Sequence, residues 1–132
     1  MTVQLDAIGI AGTGMNLNQK WLDAIGDNLA NIDDTTNRAN PAFQERFVLA
    51  QADSDSGGVA VAGTPFGSAA GRLVYSLRDP NADAQGYVRG TGIDLSVQMT
   101  NLIMAQRAYQ ANANTVSSAR YMYQSALQIG QK

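Results

Sequence analysis

Two rows of heptad-spaced residues, one at each end of the chain, constrain its fold more than any other feature. Leu95, Met99, Leu102, Tyr109, Val116, Tyr123 and Leu127 fall on one row of alternating four- and three-residue steps, completed by Gln106, Ala113 and Arg120. Such a row is the seam of a helix that packs lengthwise on another helix. Asp94 is placed to cap this helix at its start, and no proline or glycine interrupts it before Gly130. At 1.5 Å per residue it would run roughly 50 Å, well beyond the ~10–14 residues of an ordinary helix. That length suits a coiled coil or a filament element.

The partner row lies near the N terminus. Ile8, Met15, Leu22 and Leu29 recur every seven residues, with Ala11, Ile25 and Ile32 three residues after three of them, and Asn18 breaks the second series. Gly9, Gly12, Gly14 and Gly26 each lower helix propensity by up to ~1 kcal/mol. A lone helix here would fray, so it is expected to need a partner. The expected fold is mainly α: long N- and C-terminal helices paired as a coiled-coil-like hairpin, with a small Gly-rich β-containing insert between them. The corresponding division is 1–34 for the first helix, 35–93 for a connecting loop and insert, and 94–132 for the second helix.

Composition matters most in the second helix. Its stretch AQRAYQANANTVSSARYMYQ, residues 105–124, carries only Arg107 and Arg120 as charged side chains. The whole chain is 15% charged against a usual ~25%, so copies of it repel one another weakly. Asn112, Asn114, Ser117 and Ser118 are either solvated or buried between neighbouring subunits. Burial is favoured, because small uncharged side chains allow close approach and lose little on desolvation once paired. Tyr109, Tyr121 and Tyr123 add broad apolar area with a polar tip, a type enriched at interfaces.

The middle differs. Eight of the 13 glycines lie between Gly57 and Gly92, together with Pro65 and Pro80. Short strands are expected at 46–49, 59–62, 73–77 and 87–89, as a compact β-rich insert or an extended arm. Loops are expected at 54–58 and 64–71.

Several functions are set aside. The nine Lys and Arg are scattered, so no basic patch points to nucleic acid. Cysteine and histidine are absent, which removes thiolate chemistry, the commonest general base and the commonest zinc ligands. DSDSG at 53–57 lacks the later ligands of a calcium loop, and DPNADAQG at 79–86 has Ala84 and Gly90 where such a loop needs Gly and Glu. The first reads as a structural loop and the second as a turn with Asx caps after Pro80. GTGMN at 12–16 has neither the strand before it nor the Gly-Lys after it that phosphate binding requires. The isolated carboxylates and the two lysines, Lys20 and Lys132, form no catalytic constellation. No enzyme, cofactor or metal is expected. No apolar run approaches the ~20 residues of a membrane span, and the N-terminal residues do not read as a cleaved signal peptide.

The two ends also resemble a known family. GMNLNQKWLDAIGDNLANIDDT is similar to the N-terminal motif of the bacterial flagellar axial family of rod and hook proteins, centred on Asn28, Leu29, Ala30 and Asn31. LVYSLRDPNADAQGYVRGTGIDLSVQM, then AQRAYQAN with Arg107, Tyr109, Gln110, Ala111 and Asn112, then SALQIG, resemble its C-terminal signature. After Asn31 the chain departs from the family pattern, with IDDTTNRANPAFQERFVL where a Thr/Gly/Tyr-containing stretch and basic residues are usual. The resemblance implies a structural rod subunit, exported by the flagellar type III apparatus without signal cleavage and assembled in the periplasm. Its implied partners are itself, other rod proteins and the basal-body rings. Leu22, Ile25 and Leu29 are expected to pack on Leu102, Tyr109 and Val116, with torque carried by many such contacts in parallel. The alternatives are a soluble helical-hairpin adaptor and a distal-rod or hook relative, whose larger insert the short middle here disfavours.

Overall fold

The computed structural model describes residues 2–130, with side chains described from Asp6 onward; Lys132 lies outside them. The element order is α1 (Thr2–Ala30), β1 (Thr35–Asn37), β2 (Leu49–Ala52), β3 (Val59–Gly63), β4 (Arg72–Tyr75), β5 (Tyr87–Gly90) and α2 (Leu95–Ile129). Two long helices thus enclose a small antiparallel β insert.

Both ends of α2 follow from local sequence. The Asp94 carboxylate accepts from the backbone N–H of Ser96 at 2.8 Å and of Val97 at 3.1 Å, satisfying two donors that a helix start leaves orphaned. At the far end Gly130 donates its N–H to the Ala126 carbonyl, and the helix stops.

The two helices pack against each other. Asn28 meets Gln98, and Gly14 meets the end of Asn112. Each step toward the C terminus of α2 is therefore a step toward the N terminus of α1, and the pair is antiparallel. By the same register Trp21 stands level with Ala105, midway between those two layers.

The insert forms two separate sheets. One has the order β1-β5-β4, with Thr35 opposite Gly90 and Tyr75 opposite Tyr87. It is tied to the junction of the helices, since β1 follows α1 and β5 precedes α2 by a few residues. Val88 and Ile93 are buried there, and Thr91 donates its hydroxyl to the Ile32 carbonyl at 2.7 Å. The other sheet is the β2–β3 hairpin, with a register shift at Leu49/Ala50. It lies along α1, where the Val59 N–H donates to the Thr13 hydroxyl at 3.1 Å.

Three expectations need correction. The strand expected at 46–49 begins at Leu49 instead, because the Asn28 side chain occupies the backbone N–H and C=O of Arg46. The strand β1 was not anticipated, since TTN lacks the apolar alternation that marks a strand. The insert is also not an extended arm, because its hairpin packs on α1.

The expected loop and turn are present. Asp53 accepts from the Asp55 N–H and the Ser56 hydroxyl at the hairpin tip. In DPNADAQG, Asp79 accepts from the Asn81 N–H and Asp83 from the N–H groups of Gln85 and Tyr87. These carboxylates therefore cap the turns, as Asx residues do.

Candidate assembly interface

The seam between the helices is narrower than its sequence pattern, and rotated by one residue. On α2 the buried residues are Gln98, Ala105 and Ala119, flanked by half-buried Leu102, Tyr109, Asn112, Val116 and Tyr123. The row 98, 105, 112, 119 runs one residue before the expected row 99, 106, 113, 120. Small side chains decide this. Ala105 and Ala119 let the helices approach closely, whereas Gln106 and Arg120 in their place would hold them apart.

On α1 the buried centre is Ala11, Asn18, Ala24, Ile25 and Asn28, with Ile8, Met15, Leu22 and Leu29 half-buried beside it. Asn18, which interrupts the apolar row in sequence, is only 7% exposed. It lies within the seam.

Three residues expected in the seam lie outside it within one chain: Leu95 is 56% exposed, Met99 44% and Leu127 43%. Leu95 and Met99 sit on the flank of α2 turned away by the one-residue rotation. Leu127 stands past the first turn of α1 in the observed register, so no residue of α1 is level with it. The register also separates contacts that the sequence grouped together. Leu102 is level with the Leu22–Ile25 turn, but Tyr109 and Val116 lie successively nearer the N terminus of α1, by about one and two heptads.

The N-terminal motif holds the most connected buried side chain among those described. Asn28 is 1% exposed. Its Nδ2 donates to the Arg46 carbonyl at 3.0 Å and to Gln98 Oε1 at 3.1 Å, while its Oδ1 accepts from the Arg46 N–H at 2.7 Å. Gln98 Nε2 in turn donates to Glu45 Oε1 at 2.5 Å. The Arg46 guanidinium pairs with Asp27 at 2.6 Å, with both side chains about half exposed. No described buried side-chain N or O lacks a partner.

Of the other motif residues, Leu29 and Asn31 are half-buried and Ala30 is exposed. Asn31 donates to the Asp27 carbonyl at 2.8 Å. On α2, Arg107, Gln110 and Ala111 face outward, while Tyr109 and Asn112 face α1. Gln98, Ala105, Ala119 and Gly14 escaped the sequence reading. The signal that could have found them is a seven-residue recurrence of small or amide side chains, which an apolar search overlooks.

The outer surface of α2 is the other distinctive feature. Its 35 residues carry only two charges, Arg107 and Arg120. Leu95, Met99, Ile103, Met104, Tyr121 and Met122 are each 44–71% exposed on it. An uncharged, apolar-studded helix face of this length is a surface for other protein. Among the described residues no helix is long and apolar enough to cross a membrane, and no group of acidic residues is placed to hold a metal ion.

Two family models match the chain at its two ends. Residues 8–37 match the flagella basal body rod protein model. Residues 84–129 match the C-terminal model of the flagellar basal body rod FlgEFG proteins. Among curated relatives, the flagellar basal-body rod protein FlgC of Salmonella typhimurium is 34% identical, covering 96% of this chain and 98% of its own. FlgC of Borreliella burgdorferi is 29% identical over 93% of this chain and 95% of its own. FlgC of Bacillus subtilis is 25% identical over 94% and 96%. The alignments run through the insert as well as both helices, and so the chain belongs to the FlgC family of flagellar basal-body rod proteins, as a structural subunit of the basal-body rod.

Proposed function

We propose that the chain is a proximal-rod subunit that carries torque across the periplasm through many parallel helix contacts, with no chemistry at any residue. The observation that supports this most is the outer face of α2, long, nearly uncharged and apolar in patches. In a lone soluble protein such a face is a liability. In a tube wall it becomes the contact with neighbouring copies and with other rod proteins.

The helix pair acts as a coiled-coil-like hairpin in this reading, with Leu22, Ile25, Leu102, Tyr109, Val116 and Tyr123 inside it. Leu95, Met99 and Leu127, exposed in one chain, belong to the intersubunit contact. The exposed insert residues Leu73, Tyr75 and Leu77 face the surrounding ring or the next rod protein. Export proceeds through the flagellar apparatus without signal cleavage. The Gly-weakened α1 suits that route, because a helix that is marginal alone gains its order on assembly.

The test is whether the tagged chain co-purifies with detergent-extracted basal bodies and stays with the rod when the outer rings are stripped. Recovery only as a folded, discrete soluble species would replace this reading with that of an adaptor.

A further inference from the structure

Heptad rows have a built-in ambiguity: sliding one helix by seven residues puts apolar residues back on apolar residues. After a slide in one direction Ile8, Met15, Leu22 and Leu29 on α1 still meet Leu102, Tyr109, Val116 and Tyr123 on α2. After the opposite slide Ile8 and Met15 still meet Tyr109 and Leu102, while Leu29 passes the start of α2. The apolar rows therefore do not specify which register forms. We infer that the amide layers do: Asn28 with Gln98, and Asn112 in the space left by Gly14, are the register determinants of the helix pair.

The two layers are spaced alike on both helices, fourteen residues apart. Between them half-buried Trp21 is level with the small, buried Ala105. A seven-residue slide in one direction sets Asn28 against Ala105 and drives Asn112 onto Trp21. The opposite slide takes Gln98 onto Trp21 and leaves Asn28 facing Thr91, beyond the end of α2. Either way Trp21 meets an amide, and Asn28 loses the acceptor for one of its two N–H groups while buried. A buried amide without a partner is strongly disfavoured. Gly14 adds a steric key, since a Cβ there would sit 2.8 Å from Asn112 Nδ2.

Asn28 also extends the lock beyond the helices. Its remaining N–H and its oxygen grip the backbone of Arg46, and Gln98 grips Glu45. The helix register and the seat of the chain entering the β2–β3 hairpin are set by the same side chains. A polar residue in a helix seam selects register at a cost in stability, and the lock follows that rule. It is a property of the single chain and does not depend on rod assembly.

The absence of cysteine makes the test direct. Cysteines placed at the exposed positions Lys20 and Gln124, far apart along the helix axis, take nitroxide labels, and pulsed electron paramagnetic resonance reads their separation in the isolated full chain. The parent is expected to give one distance. The apolar pair Asn28→Leu/Gln98→Leu is expected to keep its helical circular dichroism and to gain a second population displaced by roughly 10 Å, one heptad of helix rise. A single unchanged distance in that variant would overturn the inference. So would loss of its helicity, which would mark the amides as folding contacts. Several distances in the parent would overturn it too. Asn112→Leu, tested alone, is expected to give the same second population at smaller amplitude, and its absence there would remove Asn112 and Gly14 from the lock.

Discussion

The side-chain amide of Asn28 donates to the side-chain oxygen of Gln98 across 3.1 Å, joining residues 70 positions apart in sequence. This contact ties the N-terminal family motif to the first turns of α2, and through Arg46 and Glu45 it reaches the insert. Three parts of the chain meet there, and each side chain at the junction is satisfied.

Because Asn28 and Gln98 share one network, their truncations should not add. Asn28→Ala is expected to cost about 1–3 kcal/mol, since it strips the Arg46 N–H and C=O of partners as well as Gln98. Gln98→Ala then costs less in the Asn28→Ala background than alone, by about 0.5–3 kcal/mol. Urea unfolding of the two single variants and the double variant measures this, and strict additivity would show the contacts to be independent.

Folding and assembly should separate on α2. Leu102→Asp places a charge in the half-buried seam and is expected to abolish both the folded helix pair and motility. Met99→Asp and Ile103→Asp lie on the exposed flank, so each should change stability by no more than about 0.5 kcal/mol. Each should still prevent incorporation into the rod. Thermal melts beside soft-agar swarming decide the matter; normal swarming of both flank variants would exclude this face as a subunit contact.

Gly71 occupies a left-handed conformation, φ +55°, and a Cβ there would collide with the Gly90 carbonyl and the Ala42 side chain. Gly71→Ala therefore combines backbone strain with a clash against the β5 backbone. A loss of about 1–3 kcal/mol or more is expected, read as a lower urea midpoint. Gly63→Ala is the control: it meets nothing within 4 Å and has no positive φ, and is expected to be near neutral.

The two turns of the insert should loosen in acid. Asp53 lies below the ordinary carboxylate value because the Ser56 hydroxyl, and then the Asp55 N–H, donate to it. Asp83 is lowered chiefly by the Tyr87 N–H, with help from Gln85 and Arg38. A folded-state value below the unfolded one contributes stability above about 3.8, and that contribution is lost as pH falls through the lowered value. Amide exchange at Asp55 and Tyr87, corrected for intrinsic rate, is expected to speed up over that acid range while Arg46, held by the Asn28 amide, stays protected. Uniform loss of protection would indicate global unfolding instead.

Local sequence was enough for the two long helices, the Asp94 cap, the stop at Gly130, the loop at Asp53 and the capped turn at Asp79–Asp83. All of these rest on contacts within a few residues or on a period that one strand of text displays. It also carried the family, because the motifs at the two ends are contiguous. Which row of α2 faces α1 was settled by packing. A one-residue rotation moves Met99 out and brings Gln98, Ala105 and Ala119 in, and that choice depends on how closely two backbones can approach. The same holds for Asn18 and Asn28. In sequence Asn18 looks like a break in an apolar stripe, and only the fold buries it in the seam. Asn28 is buried because Gln98 and the Arg46 backbone reach it from distant parts of the chain.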